Sequence, residues 1–382
     1  MSFFRRLAVF LLVMFFCANA FKIYSFADAP LSTSAKSAIL TEAKTGEVLY
    51  EKNAYQKMPM ASTTKIMTAI CAIENSNLDE VVTVDSRAAG IEGSSMYLKN
   101  GEKITLRNLL YGLMLSSGND AAVAIALNVG KSVENFADMM NETAKKIGVK
   151  DTSFKNPNGL DEEGHYTTAY DLAQITRYAL SNSEFAKIVS TNEITLAGNE
   201  NSNARSLRNH NKLLRIYEGA TGVKTGFTKK SGRCLVSSSE RNGINLIAVT
   251  LNDPNDWNDH ISMFNYAFDN CKMKSVVKKG EYAGTVNVKS SPVEGIKTEY
   301  ASDTYALFKN NENDDITVKT SVANTVEAPV DFGVKVGESV FFSNGKKLGS
   351  ADIVTSSCAA KEESNKLYEE FKNILIKYIW GI

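Results

Sequence analysis

Short alternating apolar runs at the two ends of the first 270 residues predict β-strands. Residues 37–40 and 47–50 flank a Lys-Thr-Gly sequence at 44–46, which predicts a β-hairpin. Strands return after Gly219, where residues 234–238 and 244–249 are joined by Asn242 and Gly243. Asn-Gly is typical of two-residue hairpin turns, so these runs predict a second hairpin.

Between these strands, from residue 62 to about residue 180, the apolar positions follow helical spacing. Thr105, Ser132 and Thr168 each precede such a run and can cap a helix, and residues 257–268 predict one more helix. A helical block is therefore inserted between strands that can join one antiparallel sheet. The pattern predicts an α/β domain of the α+β type over residues 30–272.

Helical spacing disappears over residues 273–358, where short alternating runs are separated by turn residues. This pattern predicts a separate small all-β domain. Helical spacing returns in residues 359–382, which predict an amphipathic tail helix with charged residues on one face. Its apolar face comprises Leu367, Phe371, Ile374, Leu375, Tyr378, Ile379 and Ile382.

The composition excludes several classes of protein. Lys+Arg and Asp+Glu each total 43, so the formal net charge is zero and we expect no nucleic-acid partner. The 3 histidines and 5 cysteines are scattered without the spacing of metal ligands. We therefore predict that the chain uses no metal and no other cofactor.

Residues 1–29 resemble a secretory signal. Arg5 and Arg6 precede an apolar run over residues 7–17 that is too short to span a bilayer. Small residues before Ala20 and before Ala29 both resemble cleavage sites, so the position of cleavage stays open. We predict a protein that works outside the cytoplasmic membrane.

Ser62 and Lys65 form a Ser-x-x-Lys pair at the start of a predicted buried helix that begins after Pro59. Residues three apart share one face of a helix, so the amine comes close to the hydroxyl. A lysine whose pKa is lowered by burial can take the proton of a serine and activate it as a nucleophile. The same spacing at Ser275 and Ser343 falls in a strand pattern and a hairpin turn, which leaves Ser62 as the candidate.

Two further short motifs follow along the chain. Ser-Gly-Asn at 117–119 lies in the tight connection between two apolar helices, where it can project a hydroxyl and an amide into a cleft. Lys-Thr-Gly at 224–226 opens the return to the strands and offers a cation, a hydroxyl and a glycine that permits close backbone approach. Similar triplets at 190–192 and 44–46 show that each motif alone is a weak signal.

Together and in this order, the three motifs resemble those of the active-site serine penicillin-recognising enzymes. The chain is most similar to the low-molecular-mass D-alanyl-D-alanine carboxypeptidases, serine peptidase family S11. Residues 154–160, 165–173, 209–214 and 232–251 carry this resemblance further, over roughly residues 30–272. It implies a serine β-lactamase/transpeptidase-like fold, with the family's C-terminal domain and membrane-binding end after residue 272.

The resemblance also implies a role for each motif residue. Ser62 would attack the penultimate D-alanine of a stem peptide ending in D-Ala-D-Ala, with Lys65 as base, and penicillins would acylate it likewise. Ser117 would relay the proton to the leaving D-alanine, and Asn119 would hold the substrate's peptide carbonyl. The backbone N–H groups of Ser62 and Phe227 would form the oxyanion hole. The strand residues that would contact the substrate and its carboxylate are Lys224, Thr225 and Gly226.

In one respect the chain departs from the family. Some members place an arginine near the substrate carboxylate after the last long strand, but residues 253–260 contain none. Either Arg208 or Arg233 could replace it, or no residue does, and the sequence does not choose between these alternatives.

Three alternatives have to be weighed. A β-lactamase usually has Ser-Asp-Asn as its second motif and a glutamate that activates water, whereas this chain has Gly118 and only Glu162 and Glu163 in the corresponding loop. A peptidoglycan DD-endopeptidase would use the same residues, so it stays open. A non-enzymatic wall-binding protein would tolerate the loss of Ser62 or Lys65, and both are present.

The predicted tail helix is too short and too charged to span a bilayer. It could pack on the protein's own surface, but Tyr378 and Trp380 suit a membrane interface and the segment follows a complete β domain. We therefore predict an anchor that lies parallel to the membrane and holds the enzyme at the outer face of the cell membrane, near peptidoglycan.

Overall fold

The computed structural model describes residues 31–198, 203–310, 314–362 and 366–380. The leader predicted over residues 1–29 lies outside the described residues. From Thr33 onward the chain forms one compact unit. Up to residue 251 the strands are β1 (Ser37–Glu42), β2 (Val48–Lys52), β3 (Val81–Thr83), β4 (Lys103–Thr105), β5 (Glu193–Leu196), β6 (Arg205–Arg208), β7 (Ala220–Thr228), β8 (Gly232–Arg241) and β9 (Ile244–Leu251). Up to residue 270 the helices are α1 (Lys65–Asn75), α2 (Leu106–Leu115), α3 (Asn119–Val129), α4 (Val133–Ile147), α5 (Ala169–Leu180), α6 (Ser183–Ser190), α7 (Leu213–Ile216) and α8 (Asp256–Asn270).

A five-stranded antiparallel sheet takes its strands from both ends of this part of the chain. The strand order is β2-β1-β9-β8-β7, so β7 is an edge strand. Ser37 of β1 lies opposite Leu251 of β9, which joins the first hairpin to the later strands. Helices α1 to α7 are inserted between β2 and β7. The predicted antiparallel sheet with an inserted helical subdomain is confirmed.

Turns and caps lie where the pattern indicates them. Asn242 and Gly243 have φ angles of 50° and 79° between β8 and β9, as a two-residue hairpin turn requires. Thr105, Ser132 and Thr168 each accept the backbone N–H of the residue three positions on, over 3.3, 3.0 and 3.0 Å. These bonds satisfy N–H groups that the first turn of a helix leaves unpaired.

Helix α1 is packed at the centre of the core. Its residues from Lys65 to Ala72 are all buried, and it contacts α2, α3, α4, α5 and α6. A lysine at the start of such a helix loses its water, which is costly for a charged amine unless polar partners replace the water. The fold thus creates the dehydrated position that the Ser-Lys chemistry requires.

Some elements differ from the predictions. Ser62 is not in the α-helix but in a 3₁₀ turn, Ala61–Thr64, that directly precedes α1. Side chains three apart eclipse in a 3₁₀ turn, so the apposition of Ser62 and Lys65 is kept. The two-stranded β3–β4 and β5–β6 sheets and helix α6 were not predicted. Their strands have only three or four residues, too short to establish a period in the sequence.

A second region of sheet follows from residue 271. The strands are β10 (Cys271–Val277), β11 (Tyr282–Lys289), β12 (Gly295–Tyr300), β13 (Thr304–Lys309), β14 (Thr317–Val322), β15 (Thr325–Glu327), β16 (Lys335–Ser343) and β17 (Lys346–Thr355). β10 pairs with β13, and the other strands form a six-stranded sheet in the order β14-β16-β17-β12-β11-β15. Val286, Ile296, Val330 and Ile353 form part of its apolar core. The predicted C-terminal all-β domain is confirmed, while its boundaries at residues 272 and 358 stay predictions.

The chain ends in helix α9 (Lys366–Trp380). Phe371, Ile374 and Ile379 on its predicted apolar face are 62%, 64% and 63% exposed, so they do not pack on the described body of the protein. The side chains of Leu367, Trp380 and Ile382 lie outside the described part. Across the described ranges, no helix is both long enough and apolar enough to cross a membrane.

Candidate active site

The candidate nucleophile lies on the 3₁₀ turn before α1. Ala61 enters the turn with a φ of 47°, a left-handed conformation that residues other than glycine adopt rarely. The hydroxyl of Thr64 donates to the Ala61 carbonyl over 2.8 Å, and the hydroxyl of Thr63 donates to the Met60 carbonyl over 2.6 Å. These bonds fix the backbone on both sides of Ser62, which itself stays partly exposed.

The amine of Lys65 faces the hydroxyl of Ser62. Its Nζ lies 2.8 Å from Ser62 Oγ, 2.6 Å from Asn119 Oδ1 and 2.7 Å from the carbonyl oxygen of Asn158. Two elements besides α1 therefore position this amine, the start of α3 and the loop that contains Asn158. The sequence assigns no role to Asn158, because its contribution is a backbone carbonyl that any residue could supply.

Burial lowers the pKa of both lysines of the site. For Lys65 the pKa lies well below its ordinary value, because burial is reinforced by the charge of Lys224 and only partly opposed by Asp120. Lys224 donates to the carbonyl of Thr225 over 3.0 Å, and burial lowers its pKa to about 7. An amine of lowered pKa beside a hydroxyl is arranged to act as a general base.

The connection between α2 and α3 carries Ser117 and Asn119. Ser117 has a φ of 58° and is 4% exposed. Asn119 bridges two elements, because its Oδ1 accepts from Lys65 while its Nδ2 donates to the carbonyl of Glu92 over 2.5 Å. Its amide therefore helps to hold the amine of Lys65, in addition to the substrate contact that the family resemblance implies.

Asp120 is a supporting residue that the sequence motifs do not reveal. Its buried carboxylate accepts the hydroxyl of Ser95 over 2.6 Å and the backbone N–H of Leu98 over 3.0 Å. The neighbouring Ser94 carbonyl accepts the N–H of Asn119 over 2.7 Å. Asp120 thus ties the segment 94–98 to the Ser-Gly-Asn connection. The signal that could have found it is a carboxylate in the first turn of an otherwise apolar helix.

Edge strand β7 passes directly beside the 3₁₀ turn Ala61–Thr64, which carries the candidate nucleophile and is called the nucleophile turn. A Cβ added to Gly226 would come within 3.0 Å of the Ser62 nitrogen and 3.1 Å of the Thr63 nitrogen. The predicted close backbone approach at this glycine is therefore made by the nucleophile turn itself. Phe227, the next residue, is 65% exposed. It belongs to an edge strand, and the resemblance expects its backbone N–H to contribute to an oxyanion hole.

A cleft of about 370 Å³ opens at this point. It brings together Ser62, Ser117 and Thr225, whereas the buried Lys65 and Lys224 do not line it. No group of three or more His, Cys, Asp or Glu side chains in the described ranges is arranged to hold a metal ion. The lining residues are Ser62, Ser94, Ser117, His210, Thr225, Gly226, Phe227, Arg233, Cys234, Asp256 and Trp257.

Of the two candidate arginines, Arg233 lines the cleft and Arg208 does not. Arg233 lies opposite Phe227 in the pairing of β7 with β8. Its Nε and Nη2 each donate to the carboxylate of Asp256 over 3.0 Å, and its guanidinium lies 5.8 Å from the centre of the Trp257 ring. This clamp gives a cation of defined orientation at one end of the cleft.

His165 supports the nucleophile turn through a hydrogen bond to Thr64. The backbone N–H of Lys155 donates to its Nδ1 over 3.0 Å, so Nε2 carries the hydrogen that bonds Thr64 Oγ1 over 2.8 Å. Thr64 in turn donates to the Ala61 carbonyl. This directional chain requires a neutral imidazole, and burial lowers the pKa of His165 to about 4.

The antiparallel sheet with its inserted helices, and a Ser-Lys pair that faces an edge strand, define the class of active-site serine penicillin-recognising enzymes. The family model described as D-alanyl-D-alanine carboxypeptidase, Peptidase S11, matches residues 24–255. A second model, the C-terminal domain of penicillin-binding protein 5, matches residues 272–361. The chain belongs to the D-alanyl-D-alanine carboxypeptidase family S11, and the predicted family and enzyme class are confirmed.

Relatives of known name agree with this assignment. The chain is 34% identical over 346 residues to the D-alanyl-D-alanine carboxypeptidase DacF of Bacillus subtilis, covering 88% of this chain and 87% of the relative. It is 28% identical over 346 residues to DacD of Escherichia coli, covering 86% and 88%. The similarity therefore extends beyond the length of the catalytic domain in both relatives.

Solved structures show the same architecture. Penicillin-binding protein 5 from Haemophilus influenzae superposes with a TM-score of 0.72 at 25% identity, covering 87% of this chain and 99% of that one. The Streptomyces K15 DD-transpeptidase superposes with a TM-score of 0.60 at 34% identity, covering 62% and 98%. The Streptomyces structure is the shorter of the two and covers only 62% of this chain. The Haemophilus structure covers 87%, which extends beyond the length of the catalytic domain.

We predict that acidification destabilises the protein through His165. The unfolded chain binds a proton at histidine near pH 6.5 and the folded chain only near pH 4, so stability falls as the pH falls through this window. The loss for this residue is on the order of 3 kcal/mol. Urea unfolding between pH 7 and pH 4.5 should show a shallower loss in His165→Gln, which keeps an amide donor and acceptor but does not titrate.

His260 serves as an internal reference in this comparison. Burial lowers its pKa to about 3, so it contributes the same kind of pH dependence to both proteins. Equal slopes for the wild type and His165→Gln would show that the imidazole of His165 is not held neutral by the fold.

Proposed function

We propose that the chain removes the terminal D-alanine from peptidoglycan stem peptides ending in D-Ala-D-Ala, through an acyl-enzyme on Ser62. The observation that carries this proposal is the fully buried amine of Lys65, whose Nζ lies 2.8 Å from Ser62 Oγ. Lys65 takes the proton of Ser62 as Oγ attacks the carbonyl carbon of the penultimate D-alanine. A dehydrated lysine is suited to this step because its neutral form is favoured.

Ser117 then passes that proton to the nitrogen of the leaving residue. It lines the same cleft as Ser62 and projects from a backbone in the left-handed conformation. The peptide C–N bond breaks, D-alanine leaves with the proton, and an ester remains on Ser62. Lys224 assists through its positive charge. Water attacks the ester in the second half of the reaction and releases the shortened peptide.

The backbone N–H groups of Ser62 and Phe227 stabilise the negative charge that develops on the carbonyl oxygen. Gly226 supports this role, because its lack of a side chain lets β7 lie against the Ser62 nitrogen. β-Lactam antibiotics present a strained amide carbonyl and acylate Ser62 by the same attack.

The substrate carboxylate is held by Thr225 and Lys224 and, at the end of the cleft, by Arg233. The clamp of Arg233 by Asp256 and the Trp257 ring favours this arginine over Arg208. In our proposal Asn119 donates to the substrate's peptide carbonyl. Its Nδ2 donates to the Glu92 carbonyl in the present structure, so binding exchanges that partner for the substrate.

The exposed acids of the neighbouring loop favour a carboxypeptidase over a β-lactamase. Glu162 and Glu163 are exposed and do not line the cleft at Ser62, and Glu162 accepts from Asn156 over 2.9 Å. Neither glutamate is therefore arranged to activate water against an acyl-enzyme.

A synthetic pentapeptide and a cross-linked peptide dimer, compared at equal concentration, separate a carboxypeptidase from an endopeptidase. A carboxypeptidase releases free D-alanine from the pentapeptide, whereas an endopeptidase cleaves the dimer.

We further propose that the leader at residues 1–29 exports the chain and that α9 binds the outer face of the cell membrane. The exposed side chains of Phe371, Ile374 and Ile379 support membrane binding, because the transfer of an apolar helix face from water to a lipid interface lowers the free energy. An anchored enzyme works close to its polymeric substrate.

Replacement of Lys65 by arginine tests the base. Arginine stays protonated, so Lys65→Arg should reduce the rate of acylation by a fluorescent penicillin by about 100-fold or more. Ser62→Ala gives the baseline without covalent labelling, and circular dichroism checks that both variants are folded. Labelling of Lys65→Arg at the rate of the wild type would assign the base to another group.

Arg233→Gln tests carboxylate recognition. Loss of a charge-assisted bond at a half-exposed site should lower kcat/KM for a pentapeptide with a free terminal carboxylate about tenfold. For the C-terminal amide of the same peptide, Arg233→Gln should lower kcat/KM much less. Arg208→Gln should have the kcat/KM of the wild type on both peptides. An equal loss on acid and amide would refute a direct role for Arg233.

Deletion of residues 363–382 tests the anchor. We expect the truncated protein to leave the pellet when it is centrifuged with phospholipid vesicles, while hydrolysis of a soluble pentapeptide is unchanged. Sedimentation equal to that of the longer chain, or loss of the folded state, would instead assign α9 to the protein's own fold.

A further inference from the structure

The six-stranded sheet of the β domain has one end on the catalytic domain. Nζ of Lys346, in the hairpin between β16 and β17, lies 2.6 Å from the carboxylate of Glu47. Nζ of Lys44, in the turn between β1 and β2, lies 4.6 Å from the centre of the Tyr305 ring. The tip of the β16–β17 hairpin and the first hairpin of the catalytic domain therefore face each other.

The opposite end of the same sheet is where the tail begins. Strands β16 and β17 run away from the hairpin tip over 9 and 10 residues, a length of about 30 Å. Val330 and Ala359 pair there through backbone bonds of 2.9 and 2.8 Å. The N–H of Glu362 donates to the Ser290 carbonyl over 2.7 Å, so the last described residue before the tail is fixed at this end.

Exposed apolar side chains lie at this end. Phe332 is 62% exposed, and Val334 and Val293 are each 42% exposed. These side chains belong to two segments, residues 331–334 and 290–294, which together are called the distal tip. Both segments lie beside the point where the chain leaves for α9, because Val330 pairs with Ala359 and residue 290 binds residue 362.

The larger loop of the distal tip is held by hydrogen bonds. The N–H groups of Gly333 and Val334 donate to the carbonyl and to Oγ1 of Thr355 over 2.9 and 3.0 Å. The hydroxyl of Thr355 donates to the Asp331 carbonyl over 2.6 Å. The backbone is thus satisfied while the apolar side chains face solvent, an arrangement suited to an apolar partner.

We propose that the distal tip inserts into the lipid surface beside α9 and forms a second membrane contact of the β domain. The proposal rests on the proposed anchoring role of α9. Continuity favours a lipid partner, because the chain leaves this end for a helix whose exposed apolar side chains need the same environment. With the tip in the interface, the catalytic domain is held about 30 Å away, at the other end of β16 and β17.

The charges around the distal tip show no basic excess. Insertion is therefore driven by apolar burial, and we expect it to gain nothing from anionic lipid. The basic residues of this end are Lys289, Lys297, Lys335 and Lys361, and the acidic ones are Glu294, Glu327, Asp331, Asp352 and Glu362, with Lys335 paired to Asp352 over 2.6 Å.

Vesicle partition measures the contribution of the tip. The chain from residue 31 onward, without the predicted apolar leader, is titrated with phosphatidylcholine vesicles. Phe332→Ser combined with Val334→Ser should weaken partition about tenfold, given the apolar area removed. Val318→Ser is the matched control, because Val318 is 53% exposed near the catalytic end of the same sheet.

The two proposals fail in different ways in this experiment. Partition that is as strong after deletion of residues 363–382 as before it overturns the anchor. If that deletion abolishes partition but the Phe332/Val334 double variant binds like the wild type, the anchor stands and the tip contact is refuted. A tenfold loss in Val318→Ser as well would also refute it, since the effect would not be specific to this end.

Cys358 provides a second and independent measurement. It is exposed close to Thr355, whereas Cys71, Cys234 and Cys271 are buried. A polarity-sensitive dye on Cys358 should shift its emission to the blue when vesicles are added, and a dye on Val318→Cys in a Cys358→Ser background should not. Unchanged emission at Cys358, or a shift that needs another protein or a second copy of the chain, overturns a lipid contact.

Discussion

The structure depends on the removal of the Lys65 amine from water. All three atoms that contact its Nζ are neutral oxygens, so they satisfy its hydrogen bonds without supplying a full compensating charge. Burial therefore favours the neutral amine, and the charge of Lys224 acts in the same direction. The cost of this arrangement is offset by the apolar packing of α1, whose residues from Lys65 to Ala72 are all buried. The packed core of the domain and the lowered pKa of Lys65 thus have the same physical origin.

Close backbone approach completes the site. A Cβ at Gly159 would lie 1.9 Å from the Ala61 carbonyl oxygen, and one at Gly226 would lie 3.0 Å from the Ser62 nitrogen. The nucleophile turn is held between a loop and an edge strand, at a distance that excludes a side chain at Gly159 and leaves little room for one at Gly226. The His165–Thr64–Ala61 chain of bonds then satisfies the carbonyl of the residue with the left-handed backbone. Packing and hydrogen bonding, and not the Ser-x-x-Lys spacing alone, determine where the hydroxyl points.

The sequence predicts those features of the structure that follow a periodic pattern or depend on a distinctive side chain. Periodicity identifies the sheet and the helical insertion, and motif order identifies the Ser62, Ser117 and Lys224 segments. It does not identify the Asn158 carbonyl, because a backbone acceptor has no sequence signature, or Asp120, whose role depends on a distant loop. The choice between Arg208 and Arg233 requires the register of β7 with β8, which puts Arg233 opposite Phe227. Such cross-strand neighbours are set by tertiary pairing and not by local pattern.

In the mechanism that we propose, the two lysines have different roles because their surroundings differ. Lys65 contacts the hydroxyl and is fully buried, whereas Lys224 lies on the edge strand, and burial lowers its pKa to about 7. A substrate carboxylate bound near Lys224 would favour its charged form, since an opposite charge stabilises an ammonium. That charge in turn disfavours a proton on Lys65. In this proposal the binding of an anionic substrate therefore acts on both amines together, because it favours the cation at Lys224 and the neutral base at Lys65.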